Sequence, residues 1–297
     1  MEITYDYYRI FYYVAKYKSF TRAASILMSN QPNITRAMNN LERQLGCSLF
    51  IRSNRGVELT PEGQKLYGHV AIACEQLQTA ELELAGGNNL QSGTVTVSAS
   101  ETALHGLLLT VLRNFHTAYP GIRIRISNHS TPQAVQAVRG GMVDFAVVTT
   151  PTDVHRPLKE IKLQEFQEVL VCGHRYSFLA KHTQHLAGLQ EYPLICLGKD
   201  TKTYDFYTGI YLQHGLVLSP DIEVATADQL LPTILHDLGI GFVPESFVQN
   251  HSGKEELYVI PLAEKIPNRS ICLVEDSSRP LSVAATTLKN MLKGSCA

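Results

Sequence analysis

Gln31 to Gly56 reads QPNITRAMNNLERQLGCSLFIRSNRG, a helix-length run of amides, hydroxyls and arginines that closes in a short basic loop. Asn30, just before it, is a good N-cap, and Pro32 falls in the first turn, where its missing N–H removes no helix bond. Ile34, Met38, Leu41 and Leu45 recur as one apolar stripe, so the spacing predicts a helix with a buried face. That stripe leaves Gln31, Asn33, Thr35, Arg36, Asn39 and Arg43 wholly or partly facing solvent. Amides can pair with adenine N6 and N7 and arginine with guanine O6 and N7, so these are the residue types that base readout needs.

Working outward, Tyr7, Phe11, Val14 and Ala15 recur at helical spacing in a first helix. A short second helix follows, with Thr21 as its expected cap and Ala23, Ala24 and Leu27 small or apolar enough for another helix to cross closely. Two helices joined by a tight turn, the second showing amides and a guanidinium near its start, match the helix-turn-helix arrangement. Spacing alone leaves a second reading open, a solvated polar face on a structural helix, because such patterns are degenerate. On the other side, LFIRSNRGVELT sets two short extended pieces around a turn holding Arg52, Asn54, Arg55 and Gly56. This reads as a basic hairpin, or wing, whose arginines suit phosphates or a minor groove.

The 297 residues are about twice a usual domain, which favours two or more domains. The net charge of −1 conceals an asymmetry: residues 1–65 hold nine Lys/Arg against five Asp/Glu, and the remainder 17 against 22. A basic head on an acidic body suggests that the head meets a polyanion. The N-terminus, MEITYDYYRI, has no basic n-region or apolar h-region, and the charge-free run TALHGLLLTVL is too short for a membrane span. Six scattered cysteines with no Cys-x-x-Cys pair fit a reducing cytoplasm. A thiol switch between Cys172 and Cys196 stays open as an alternative.

The run SFTRAASILMSNQPNITRAMNNLERQLGCSLFIRSNRGVELTPEGQKL resembles the LysR-type transcriptional regulators. It carries their Ser-Phe-Thr-x-Ala-Ala, Gln-Pro, Leu-Glu-x-x-Leu-Gly, Leu-Phe-x-Arg and Leu-Thr-x-x-Gly elements in order and spacing. The resemblance implies that Gln31, Pro32, Asn33, Thr35 and Arg36 face DNA and that Arg52 and Arg55 form the wing. Asn30 and Asn33 depart from the pattern, which commonly has Ser and a small residue there.

From Pro61 onward, Leu66, Val70, Ala73, Leu77, Ala80 and Leu84 step by four and three to GGNN, a heptad-like seam that wants a partner helix. Packing on its own domain is the alternative. The resemblance implies a dimerising linker helix, with Leu66, Val70, Ala73, Leu77 and Leu84 at the interface.

After Ser92-Gly93, short apolar strands alternate with helical segments, an α/β pattern. Strand ends and helix starts carry Ser100, Thr102, Ser130, Thr131, Thr149, Thr150, Thr201, Thr203 and Thr226, and ligands in such folds sit there. In STPQAV, Thr131 is the expected cap and Pro132 opens the first turn. Glu101 lies beside the expected cleft and would repel an anionic effector unless paired. TPQAVQAVRGGMVDFAVV and DLGIGFVPES, the latter with Pro244, are similar to the family's effector-binding region. That region resembles periplasmic binding proteins, two α/β lobes joined by two crossover strands.

No Gly-x-Ser-x-Gly, His-Glu-x-x-His or phosphate-loop motif occurs, and GIGFVP has only two of the three glycines of a dinucleotide fingerprint. His105, His129 and His174 have no regular metal-ligand spacing. The expected fold is thus α + α/β: an N-terminal winged helix-turn-helix over residues 1–60, a linker helix over 61–87, and a C-terminal two-lobed α/β effector-binding domain over 92–297. Lobe I is expected at about 92–162 and 267–297, and lobe II at about 163–266. The expected function is a sequence-specific DNA-binding regulator, not an enzyme, with no cofactor or metal. Its expected partners are double-stranded DNA with an interrupted palindrome, a small-molecule effector, a second or further copies of the chain as homodimer or homotetramer, and RNA polymerase if it activates; no membrane is expected. An enzyme or solute-binding protein with the head as a dimerisation module is the competing class.

Overall fold

The computed structural model describes residues 3–53, 56–86, 90–251 and 257–295. The chain divides into two compact units, Met1–Gly87 and Asn88–Ala297.

In the first unit, α1 (Tyr5–Tyr17), α2 (Phe20–Ile26) and α3 (Gln31–Leu45) close around Phe11, Tyr12, Val14, Ala23, Ala24, Ile34, Met38 and Leu41. Ser19, not Thr21, caps α2: its side chain accepts from Arg22 N, while Thr21 lies inside the first turn. Asn30 Oδ1 accepts from Asn33 N at 2.9 Å to start α3, and Gly46, at φ 71°, ends it in the left-handed conformation that glycine adopts without strain. Leu45 is exposed instead of buried, and Ala37 completes the buried stripe.

The hairpin of β1 (Phe50–Ser53) and β2 (Gly56–Leu59) pairs Phe50 with Leu59. Its base is tied to α3 by Glu42 Oε1, which accepts from Leu49 N at 2.7 Å and Phe50 N at 3.2 Å. Next comes α4 (Pro61–Gly86), started by Thr60 Oγ1 accepting from Gly63 N. A Cβ on Gly63 would lie 2.2 Å from Leu49 O, so the first turn of α4 approaches the chain before β1 as only glycine permits. The heptad-like seam splits. Leu66 and Val70 pack into the three-helix core beside Cys74, whereas Ala73, Leu77 and Ala80 are exposed, and the side chain of Leu84 lies outside the described set. Leu66 and Val70 are thereby corrected from partner-facing to self-packed positions.

The second unit holds two sheets. Lobe I contains β3 (Gly93–Ala99), β4 (Ile122–Asn128), β5 (Phe145–Thr149) and β6 (Leu158–Phe166). Its helical stretches are α5 (Glu101–Ala103), a π-helical turn Leu104–Leu108, α6 (Leu109–Ala118) and α7 (Thr131–Arg139). Lobe II contains β7 (Glu168–Cys172), β8 (Leu194–Leu197), α8 (Lys202–Gln213), β9 (Ile222–Val224), α9 (Ala227–Leu235), β10 (Ile240–Pro244), α10 (Glu245–His251) and β11 (Tyr258–Ile260). The chain then returns to lobe I with β12 (Arg269–Asp276) and α11 (Val283–Gly294).

The sheet orders are β4-β3-β5-β12-β6 and β11-β7-β10-β8-β9. In each, the first parallel strand lies between the other two, β3 between β4 and β5, and β8 between β9 and β10. This creates a topological switch point at the carboxyl ends of the parallel strands, the usual place for a ligand crevice. Both faces of each sheet are covered: on β5, Phe145 and Val147 enter one core cluster and Ala146 and Val148 the other. Lobe I runs past residue 162, because β6 continues to Phe166 against the full length of β12. Lobe II then begins at Glu168.

Candidate functional site: a polar helix face and an interlobe cleft

On α3, Gln31, Pro32, Asn33, Arg36 and Asn39 are exposed and Thr35 is half-buried. Gln31, Pro32, Thr35, Arg36, Asn39 and Asn40 line one shallow depression. Thr21 Oγ1 donates to Gln31 Oε1 at 3.0 Å, which fixes the Gln31 amide and leaves its NH2 pointing outward. Asn40 is held by Tyr7 OH at 3.2 Å and by Arg43 Nη2 at 3.1 Å. Arg36 has no hydrogen-bond or ion-pair partner among the described residues. A guanidinium so placed on an amide-lined face is presented to an external acceptor. Arg52 lies on β1 with its side chain outside the described set, and Arg55 lies outside the described residues.

In the second unit, the hydroxyls gather at the carboxyl edge of lobe I. Ser100 follows β3, Ser130 precedes α7 and Thr149 ends β5. Ser130, not Thr131, is the N-cap of α7, and its N–H donates to Gln133 Oε1 at 3.0 Å. Thr131 is buried, with its hydroxyl donating to Thr149 O at 3.2 Å. Ser100 Oγ is buried with no hydrogen-bond partner among the described residues. The Glu101 carboxylate is engaged on both oxygens, by His105 Nε2 at 2.8 Å and Asn128 Nδ2 at 2.6 Å, so it is paired within lobe I. Thr102 is half-buried beside it.

On lobe II, Thr201 is occupied structurally: its hydroxyl donates to Gly198 O at 2.8 Å and accepts from Tyr204 N to cap α8. Thr203, two residues on, joins the lobe I group through Arg269, a residue that sequence reasoning missed. Arg269 Nη2 donates to Thr149 Oγ1 at 3.0 Å and Thr203 Oγ1 at 3.1 Å, and Nε donates to Thr150 O at 2.8 Å. Nη1 donates to the Glu168 carboxylate at 2.5 Å. Phe206 and Phe166 flank the guanidinium, with ring centroids 5.0 and 5.6 Å away. Pro244 ends β10 opposite Glu168 in the strand register. Thr226 caps α9 in position only, with no side-chain cap bond, and no hydrogen bond among the described residues joins it to Arg269. Lys202 Nζ bridges to Asp153 of lobe I at 2.7 Å as well as to Asp205. The one available signal for Arg269 was an arginine opening the buried strand RSICLVE, since a buried charge requires a partner.

The thiol alternative meets two obstacles. β10 lies between β7 and β8, which sets Cys172 and Cys196 two strands apart, about 10 Å by strand spacing. A disulfide needs Cα atoms no more than roughly 7 Å apart. Burial also pushes the Cys172 thiol up to about 11 and the Cys196 thiol up to about 12, so neither supplies thiolate near neutrality. Among the described residues, no helix is long and apolar enough to cross a membrane.

Comparison with known proteins bears on the two units of the chain. Residues 5–64 match the bacterial regulatory helix-turn-helix protein model of the lysR family, and residues 88–297 match the LysR substrate binding domain. The regulator YofA of Bacillus velezensis is 27% identical, over 96% of this chain and 96% of its own length. A probable RuBisCO transcriptional regulator of Trichormus variabilis is 27% identical over 96% of this chain and 86% of its own. Among solved structures, CbnR complexed with its target DNA superposes with a TM-score of 0.73 at 19% identity, covering 99% of this chain and 100% of that one, which establishes a shared fold. With a lysR-family helix-turn-helix at its head and a LysR substrate binding domain over the rest, the chain belongs to the LysR family of transcriptional regulators.

Proposed function

We propose that the chain acts in the cytoplasm as a homodimer or homotetramer that reads an interrupted palindrome in double-stranded DNA through α3. A small-molecule effector in the interlobe cleft biases how the assembly sits on that DNA. The observation that carries the reading is the unpartnered, exposed Arg36 set among Gln31, Thr35 and Asn39 in one depression. Gln31, Asn33, Arg36 and Asn39 contact base edges, while Arg52 and Arg55 hold the backbone beside them.

Two copies are required, because one three-helix head makes too few contacts to be selective, whereas two set about 34 Å apart read both halves of a palindrome. The exposed stretch of α4 with Ala73 and Leu77, continuing toward Leu84, is the face that pairs. The effector must bind one lobe arrangement more tightly than another, and a coupling of roughly 1–3 kcal/mol changes occupancy about 5- to 150-fold. No metal or prosthetic group is needed, and contact with RNA polymerase follows only if the protein activates.

Selection from random duplexes by the full-length protein tests the reading. An enriched interrupted palindrome with half-sites about one helical turn apart, roughly 10 base pairs, is expected. No enrichment at physiological ionic strength would contradict base reading through α3.

A further inference from the structure

Thr21 sits in the first turn of α2, yet its hydroxyl is not needed there, because Ser19 caps that helix. A hydroxyl carries one hydrogen. Thr21 Oγ1 gives that hydrogen to Gln31 Oε1 at 3.0 Å, across the turn between α2 and α3. Gln31 is the first residue of α3 and lines the exposed depression with Arg36 and Asn39. Its Nε2 makes no hydrogen bond among the described residues. An amide reads adenine with both ends at once, the oxygen accepting from N6 and the NH2 donating to N7. With its oxygen turned back to Thr21, Gln31 offers outward only its two N–H groups. In the major groove guanine presents two neighbouring acceptors, O6 and N7, whereas adenine and cytosine each set an amino donor against such a group.

We propose that Thr21 is a positioning residue for base readout: by holding Gln31 Oε1 it makes Gln31 a donor-only reader, which selects guanine over adenine at the base pair it meets. The inference rests on α3 being the reading helix. Thr21 acts through Gln31 and needs no base contact of its own. An amide free to rotate can turn either end to the groove and accept adenine as readily as guanine; the hydroxyl removes that choice.

The test is selection from random duplexes, at physiological ionic strength, by four full-length proteins: wild type, Gln31→Ala, Thr21→Val and Thr21→Ser. Gln31→Ala marks the half-site position that Gln31 reads, as the one whose preference it erases. Wild type is expected to enrich guanine there on one strand. Thr21→Val keeps the side-chain shape without the donor, and Thr21 is exposed, so the head core stays intact. In that variant the preference for guanine over adenine at the marked position is expected to fall about fivefold or more, with the other positions unchanged. Thr21→Ser returns the hydroxyl and is expected to return guanine. Weaker binding of Thr21→Val to every duplex with the base preference intact would make Thr21 a phosphate contact and overturn the proposal. Adenine at the marked position in wild type, or no position that depends on Gln31, would overturn it as well. A wild-type protein that enriches no sequence removes the reading of α3 and this proposal together. An enriched sequence that Thr21→Val leaves unchanged removes this proposal alone.

Discussion

Arg269 and Glu168 form a salt bridge where the chain passes between the lobes, with only 2% and 4% of their side chains exposed. Glu168 opens the first strand of lobe II and Arg269 the strand that returns to lobe I. Burial alone raises the Glu168 carboxyl, and the adjacent guanidinium opposes that rise. Removing one partner leaves the other charge dry, so Glu168→Ala is expected to cost about 3–5 kcal/mol. The double variant Glu168→Leu/Arg269→Met removes both charges and is expected to be near neutral or stabilising. Urea unfolding of the three proteins checks this. Equal losses in the single and double variants would mean that packing, not charge, governs this crossover between the lobes.

Two apolar residues of α4, seven positions apart, predict opposite outcomes. Val70 is buried in the head core, and Val70→Ala is expected to lower stability by about 1–3 kcal/mol. Leu77 is 47% exposed, and Leu77→Glu is expected to shift sedimentation toward the monomer. A Leu77→Glu protein that sediments like wild type would remove this helix face from the interface.

The buried thiols predict resistance to oxidation. Peroxide or diamide should form no Cys172–Cys196 bond in the native protein, and maleimide should leave Cys172, Cys196 and Cys272 unmodified until unfolding. Burial raises these thiols from the ordinary 9.0 to about 11 for Cys172 and about 12 for Cys196 and Cys272. The folded state thus holds its protons more tightly than the unfolded one. Their contribution to stability is complete below pH 9 and declines as pH rises toward 12. Peptide mapping after labelling and an alkaline melt series check both, and a mapped Cys172–Cys196 disulfide would revive the redox alternative.

The head was legible because each of its devices is local. Asn30, Pro32 and the Ile34–Met38–Leu41 stripe sit within one helix, and the hairpin signal lies within a dozen residues. The cap of α2 was misplaced by two residues because Ser19 and Thr21 are chemically equivalent caps, and the backbone alone decides between them. The body was legible in outline. β6 carries little strand signal because LKEIKLQEF is charge-rich: it is a sheet edge with Lys159, Lys162 and Glu165 exposed. Arg269 was invisible because its partners lie about 65 to 120 residues away, at Thr203, Glu168, Thr149 and Thr150. Likewise Thr201 and Thr203 look alike in sequence, yet one hydroxyl caps α8 and the other meets Arg269.

The central claim is that the exposed face of α3 reads bases, and Arg36 tests it most directly. The measurement is the affinity of wild-type and Arg36→Ala protein for the selected duplex and for a scrambled one of equal length, at the same salt. Losing a guanidinium that reads a base costs about 1–3 kcal/mol of discrimination, so the ratio of the two affinities should fall about fivefold or more in the variant. Its binding to the scrambled duplex should change far less. An unchanged ratio would contradict the assignment of α3 as the reading helix.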